Sequence, residues 1–297
     1  MERIIFTCQP LSKEFSGGYS NIYLVKKDNG IFVYKRPKTP YGYKYMIETY
    51  ILHNFSHPNI MHSAVSFEDL DRIYVYRNFK LERILSSGHI LPHMESDLFD
   101  IIDHHLEILT LAQKKYLIRS IGEGIKYFHN RNFVHGDLKP ENILIDDIVK
   151  FITADNCSFK VVITDFDTAM QFKDDKDYAE YTDHIGTFQF LSPEVLLKYT
   201  NKPFIRHKSD DIWAYAIMCY QILAPKTELI FADIQYDTKC TIEYLDNIVN
   251  WLIKFKNKQN SKIYNQDSYQ FLSDIIKLEY KDRPTIEDIL NHEYLKI

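Results

Sequence analysis

The chain has 297 residues, 45% of them hydrophobic and 26% charged, with 36 Lys and Arg against 41 Asp and Glu for a formal net charge of −5. That composition suits a globular chain with one large domain or two closely packed lobes. It argues against a disordered segment and, through its mild acidity, against a nucleic-acid scaffold. There is no apolar run of the ~18 residues a membrane span needs, and the four scattered cysteines (Cys8, Cys157, Cys219, Cys240) contain no C-x-x-C pair, so no disulfide framework or zinc site is implied and a reducing compartment fits best.

The first ten residues, MERIIFTCQP, carry no signal-peptide pattern, and Glu2 is incompatible with N-myristoylation. Residues 1–90 hold β-rich runs, FSGGYSNIYLVKK and GIFVYKRP, separated by the turn-forming pair Asn29-Gly30. A helix is predicted over 43–55, with Met46, Ile47, Tyr50, Ile51 and Leu52 grouped on its apolar side. Beyond residue 95 the pattern turns mainly helical. Thr110 with Gln113 three residues on is a capping-box signature, and Leu117, Ile121, Ile125 and Phe128 follow as a core-facing stripe. A smaller β-rich part therefore precedes a larger helical one, with the boundary near ILPHMESDL (90–98).

Two later stretches carry chemistry: HGDLKPENILI (135–145) and VVITDFD (161–167). Phosphoryl transfer needs a carboxylate near an acceptor hydroxyl, oxygen ligands for a metal and a cation on the phosphates. Asp137 is placed to orient a hydroxyl, Asn142 and Asp165 to supply metal oxygens, and Lys139 to reach the transferring phosphate. Magnesium takes hard oxygen donors and keeps several waters, so two protein ligands suffice.

These stretches resemble the catalytic loop and the metal-binding triplet of the eukaryotic-type serine/threonine protein kinases. The resemblance runs over nearly the whole chain: VYK (33–35), HPNI (57–60), ILPHMESDL, GTFQFLSPE (186–194), DDIWAYA (210–216) and KDRPTIEDILNHEYL (281–295) follow in the family's order. It implies an α+β bilobal fold in a single domain, with an N-lobe over 1–92 and a C-lobe over 93–297. It further implies ATP and Mg2+ as cofactors and protein Ser/Thr hydroxyls as acceptors.

By the same resemblance Lys35 would hold the α- and β-phosphates and Glu48 would pair with it. Leu91 would be the gatekeeper, and the backbone of Pro92 and Met94 would meet adenine. Asp97 would meet the ribose, while Ile22, Val33 and Leu144 would line the nucleotide site under a loop carrying Gly17 and Gly18. Lys139 and Thr187 together mark a Ser/Thr preference. Asp211 is the helix aspartate of the family, and Arg283 the partner of Glu194. Glu141 and Asp97 imply a preference for basic acceptor sequences. The minimal frame is similar in style to kinases of large cytoplasmic DNA viruses, which implies a cytoplasmic or virion location; the composition implies no membrane or nucleic-acid binding, and a monomer is favoured with the oligomeric state open.

The sequence departs from the family pattern at several points. Phe15 and Ser20 stand where the first and third loop glycines belong. Gly136 replaces the arginine that precedes the catalytic aspartate and grips an activation-loop phosphate, and Asp183 falls where the phosphothreonine usually lies. Activity without loop phosphorylation is the expectation. Asp167 replaces the glycine of the triplet, as a further oxygen near the metal or as a stiffener. Residues 66–90 and 146–160 are longer than usual. Two other readings stay open: a catalytically dead kinase fold serving as a binding scaffold, and a small-molecule kinase of the aminoglycoside/choline type, which shares H-G-D-x-x-x-x-N.

Overall fold

A computed structural model describes residues 4–8, 15–16, 20–38, 43–65, 73–77, 80–83, 88–153, 159–172, 178–181, 186–197, 204–224, 241–257 and 265–296. The strands of the N-terminal part are β1 (Ile4–Cys8), β2 (Phe15–Ser16), β3 (Ser20–Lys27), β4 (Gly30–Pro37), β5 (Ile73–Arg77), β6 (Lys80–Arg83) and β7 (His89–Pro92), with helix α1 (Tyr43–Asn54) between β4 and β5. They form a seven-stranded sheet in the order β6-β5-β1-β3-β4-β7, with β2 also on β3. Successive side chains of a strand point to opposite faces. Tyr23 opposite Tyr34 therefore packs with Phe6, Val25, Val75 and Ile90 in a small core on one face. Ile22 opposite Lys35 and Leu24 opposite Val33 turn to the other face, towards the helical part.

The predicted hairpin is present, but its loop is Asp28-Asn29. Lys27 pairs with Gly30, and Asp28 takes the left-handed conformation at φ 53°. Helix α1 buries Ile47, Glu48, Ile51 and Leu52, whereas Met46 is 67% and Tyr50 48% exposed. The buried face is thus rotated from the one expected, and it carries a carboxylate. The expansion at 66–90 contains the β5–β6 hairpin, which lies on β1 with β5 and β1 parallel, Phe6 opposite Val75.

The helical part begins at β8 (Ser96–Asp97) and the single turn α2 (Leu98–Asp100). It continues with α3 (Leu111–His129), β9 (Phe133–Val134), β10 (Ile143–Ile145), α4 (Ile148–Thr153), β11 (Val161–Ile163) and β12 (Met170–Gln171). Then come β13 (Tyr178–Tyr181), α5 (Pro193–Leu197), β14 (Phe204–His207), α6 (Lys208–Leu223), α7 (Thr241–Lys256), α8 (Gln266–Ile275) and α9 (Ile286–Leu290). A β-rich N-terminal lobe and a helical C-terminal lobe give the α+β bilobal fold that was expected.

The capping box forms at the start of α3: Gln113 N donates to Thr110 Oγ1 and Thr110 N to Gln113 Oε1. Leu117, Ile121, Ile125 and Phe128 are buried in the main core. The long connection 146–160 contains α4, which is docked on α3. Gln113 Nε2 donates to Phe151 O at 2.6 Å, and Phe151 lies edge-on to Phe159 at 4.5 Å. Asn59 of the HPNI turn bridges to β11 through its side-chain amide and Val161 O at 2.8 Å and through Asn59 O and Ile163 N at 2.9 Å. This join positions the end of β11, and hence Asp165, against the N-terminal lobe.

The C-terminal frame closes on Arg283. All five of its N–H donors find acceptors: both Glu194 oxygens, at 2.6 and 2.7 Å, and the carbonyls of Lys277, Leu278 and Ser209. Its side chain is fully buried beside the Trp213 ring, 5.1 Å from the centroid. Burial by itself would raise the Glu194 carboxyl, but the hydrogen bond and charge of Arg283 outweigh it and hold the group below its ordinary value. Removing one partner of such a pair strands a buried charge. Glu194→Ala should therefore lose about 3–5 kcal/mol of unfolding free energy by chemical denaturation, whereas Thr110→Ala should lose only about 1 kcal/mol.

Candidate active site

Three elements meet at Lys35. Strand β4 carries the lysine, α1 carries Glu48, and the loop after β11 carries Asp165. Lys35 Nζ donates to Glu48 Oε1 and to Asp165 Oδ1, both at 2.6 Å, and Asp167 Oδ1 lies 3.5 Å away. Burial would strip the ammonium of its proton, but the surrounding carboxylates, Asp165 first and then Glu48, more than compensate and hold its pKa well above the ordinary value. Asp165 shows the reverse balance: burial pushes it up, Lys35 pulls it further down, and it stays ionised.

Asp167 is the odd member of this cluster. Burial and then the charge of Glu48 push it up to about 8, so at neutral pH it is chiefly a neutral carboxylic acid. Two carboxylates and one carboxylic acid thus surround one ammonium. Asp165 itself adopts φ +65°, a conformation that costs a non-glycine residue energy and recurs at functional sites.

The catalytic-loop stretch is held from below by α6. Asp211 accepts from His135 N at 2.9 Å and from Gly136 N at 3.0 Å, and it pairs with His129 Nε2 at 3.0 Å. Burial raises its pKa, while the His129 hydrogen bond and charge lower it and prevail. Phe166 is fully buried and stacks on Phe128 at 5.3 Å, anchoring the DFD segment inward. Above this base Asp137 accepts from Thr187 N at 2.6 Å, and Lys139 Nζ donates to Thr187 Oγ1 at 2.9 Å while lying 3.4 Å from Asp137 Oδ2. Asn142 Nδ2 donates to Asp137 O at 2.8 Å. That commits its nitrogen and leaves its carbonyl oxygen as the atom it can offer. The carboxyl groups whose oxygens converge here are those of Glu48, Asp165 and Asp167, close enough together to hold a metal ion.

Between the lobes a cavity of about 330 Å³ is lined by Ile22, Val33, Lys35, Leu91, Leu144 and Asp165. A neighbouring space of about 460 Å³ is lined by Leu24, Met94, Asp97 and Asp100, among others. Apolar strand residues thus form the roof, Leu144 the floor and charged groups the inner end. Pro92 lies on β7 opposite Phe32. Asp97 accepts from Asp100 N at 2.8 Å, and burial raises its carboxyl. Gly17, Gly18 and Asp183 lie outside the described residues.

Sequence patterns missed several members of this region. His89, opposite Lys35 on β7, is 2% exposed, and its Nε2 has no hydrogen-bond partner among the described residues, with Glu48 Oε2 3.8 Å away. Ser192 Oγ donates to buried Asp210 at 2.8 Å. Arg206 reaches the catalytic loop from β14: its Nη2 donates to Gly136 O. The one available signal was indirect, since loss of the usual arginine at 136 calls for another donor nearby.

The protein kinase domain family model matches residues 16–295, so the chain belongs to the protein kinase domain family. Among curated proteins it is 26% identical over 246 residues to the calcium/calmodulin-dependent protein kinase cmkA of Emericella nidulans, an alignment covering 83% of this chain and 51% of that one. It is 27% identical over 205 residues to rat (Rattus norvegicus) 3-phosphoinositide-dependent protein kinase 1, covering 69% and 31% of the two chains. It is 28% identical over 242 residues to a serine/threonine-protein kinase of Acanthamoeba polyphaga mimivirus, covering 80% and 75%. The chain spans about half or less of the length of the first curated relatives it matches.

His89 ties this site to pH. Burial, with the Lys35 charge behind it, lowers the imidazole from 6.5 to about 3. Above pH 6.5 the group is neutral in the folded and the unfolded chain alike. As pH falls from 6.5 towards 3 the unfolded chain takes up a proton that the folded one refuses, so stability drops by up to about 1.4 kcal/mol per unit. Thermal midpoints of His89→Leu should therefore fall less between pH 7 and pH 5 than those of the parent. Equal slopes would show that His89 is not the titrating group.

Proposed function

We propose that the protein is an ATP-dependent protein serine/threonine kinase that works without phosphorylation of its activation segment. The observation that carries this reading is the joint formed by Asp137, Lys139 and Thr187. The carboxylate that would orient the acceptor is tied directly to the segment that would seat it, through Thr187 N and the Lys139–Thr187 hydrogen bond. In the family an arginine at position 136 would grip a loop phosphate. Here Gly136 has no side chain with which to do so, and the joint is made without one.

Adenine would enter the apolar space under Ile22 and Val33, between Leu91 and Leu144, with Pro92 and Met94 offering backbone groups and Asp97 reaching the ribose. Lys35, braced by Glu48, would take the α- and β-phosphates. Asn142 and Asp165 would hold Mg2+, which when bound supplies charge neutralisation across the phosphates. Asp137 would accept the hydrogen bond of a Ser or Thr hydroxyl and aim its oxygen in line with the γ-phosphorus. Lys139 would offset charge on the transferring group. The γ-phosphoryl group leaves ADP for that oxygen, and the hydroxyl proton moves towards Asp137.

Glu141, on the exposed side of the cleft, supports a preference for basic acceptor sequences. The scattered cysteines and the absence, among the described residues, of a helix long and apolar enough to cross a membrane fit an enzyme of a reducing compartment such as the cytoplasm.

Transfer of label from γ-labelled ATP–Mg2+ to casein or histone tests the reading. Asp137→Asn and Lys35→Met should each lose at least two to three orders of magnitude, as about 3–4 kcal/mol for a preorganised polar group implies. Binding without turnover would favour the scaffold, and a labelled small molecule the aminoglycoside/choline type. Phosphatase-treated enzyme should keep its rate, and a collapse restored by autophosphorylation would refute independence from loop phosphate. Restoring the family's arginine should harm rather than help. Gly136 sits at φ +80°, and a Cβ there would stand 2.9 Å from Thr168 O, so Gly136→Arg should be slower than the parent.

A further inference from the structure

The catalytic loop of this chain lacks the side chain that anchors it in its family, yet the space beside Gly136 is filled. A Cβ on Gly136 would lie 3.3 Å from Arg206 Nη2 as well as against Thr168 O. Arg206 stands on β14, 70 residues downstream, and is 3% exposed. Its Nη2 donates to Gly136 O at 2.5 Å, and its Nη1 lies 3.8 Å from Asp210 Oδ2. One hydrogen bond of the guanidinium goes to the loop, and the Asp210 carboxyl group lies at longer range.

Both backbone polar groups of Gly136 are therefore held, its N–H from α6 and its carbonyl from β14. Asp211 Oδ1 takes Gly136 N at 3.0 Å, and Arg206 takes Gly136 O. That carbonyl belongs to the peptide plane leading into Asp137, so its direction sets where the Asp137 side chain starts. A second close approach completes the arrangement. Gly186, at φ +94°, would place a Cβ 2.6 Å from Gly136 O, 3.1 Å from Asp137 Oδ1 and 3.6 Å from Arg206 Nη2. Between these groups remains a void of only about 10 Å³, lined by Asp137, Thr187, Arg206 and Asp210 among others. At most about one water fits such a space. Arg206 also sits opposite Ala179 in the antiparallel β13–β14 pair, and β13 belongs to the segment between DFD and SPE.

We infer that Arg206 is a positioning residue: its guanidinium clamps the Gly136–Asp137 peptide, aims the Asp137 carboxylate, and makes that aim depend on the β13–β14 pairing. The inference rests on the reading of Asp137 as the carboxylate that orients the acceptor. A cation delivered from a paired strand then does the work that a loop phosphate and an arginine at 136 would share. Lysine cannot replace it fully, because an ammonium offers no planar fork to span Gly136 O and Asp210.

The parent, Arg206→Gln and Arg206→Lys are compared for labelling of casein and histone, for KM of ATP, and for the rise in thermal midpoint on adding ADP–Mg2+. A misaimed group displaced by about 1 Å can cost about 10²-fold in rate. Arg206→Gln should lose about that much in kcat, with KM for ATP and the nucleotide-induced shift unchanged, and Arg206→Lys should recover only part. Full kcat in a folded Arg206→Gln overturns the inference. So does a parallel fall of kcat, nucleotide binding and midpoint, which marks a merely structural residue. If the glutamine variant does not fold, the lysine variant decides: parental kcat overturns the inference, and a lowered kcat at unchanged KM supports it. A parent that labels neither acceptor fails before any variant is compared, and that result sinks the kinase reading along with the role given to Arg206.

Discussion

One ammonium group organises this molecule. Lys35 Nζ bridges α1 and the end of β11 from its place on β4, with two carboxylates at 2.6 Å. A buried cation without partners would cost several kcal/mol or lose its proton. The sheet, the helix and the DFD segment are therefore tied together through this one group. Asp167 adds a third carboxyl group, which burial and the charge of Glu48 push towards its neutral form, so it adds little to the negative charge around the lysine. It stands where the family uses glycine, 3.5 Å from Lys35 Nζ.

The same logic runs through the helical lobe. Asp211 is buried among core residues of α6 and gathers two backbone N–H groups and a histidine, so the catalytic loop is suspended from the rigid core of the domain. Arg283 spends all five donors on the segment that follows Thr187 and on its surroundings. Between these two anchors lie Asp137, Lys139 and Thr187, close enough to fix one another directly. Thr187 is held through both its backbone N–H, by Asp137, and its hydroxyl, by Lys139.

Much of this was legible along the chain, for local reasons. The capping box at Thr110 and Gln113, the stripe through Leu117 and Phe128 and the β3–β4 hairpin depend on residues a few positions apart. Asp137, Asn142 and Asp165 stood out through their local pattern, Lys35 and Glu48 only through the family resemblance, and Lys35, Glu48 and Asp165 converge. The β3–β4 turn fell one residue early because Asp28 tolerates the left-handed conformation, leaving Gly30 to begin the strand. Met46 and Tyr50 were assigned to the apolar face of α1 on polarity alone. The helix instead turns Glu48 inward with Ile47, Ile51 and Leu52, where it meets Lys35. The β5–β6 hairpin paired with β1 across a long sequence gap, and nothing in its pattern names that neighbour.

What the sequence determined by itself was the set of groups and their order: one lysine, one helix glutamate, the loop aspartate, lysine and asparagine, and the strand-end aspartate, on elements whose periodicity could be read. Tertiary structure alone decided which groups met without a motif to announce them. His89 became a buried neutral imidazole because β7 pairs with β4. Asp167 became a neutral acid because the fold buries it and brings Glu48 and Asp165 beside it. Arg206 reached Gly136 because β14 folds back beneath the catalytic loop. The physical reason is the same in each case: local propensity acts over a few residues, whereas desolvation and charge act through space between segments that only the completed fold brings together.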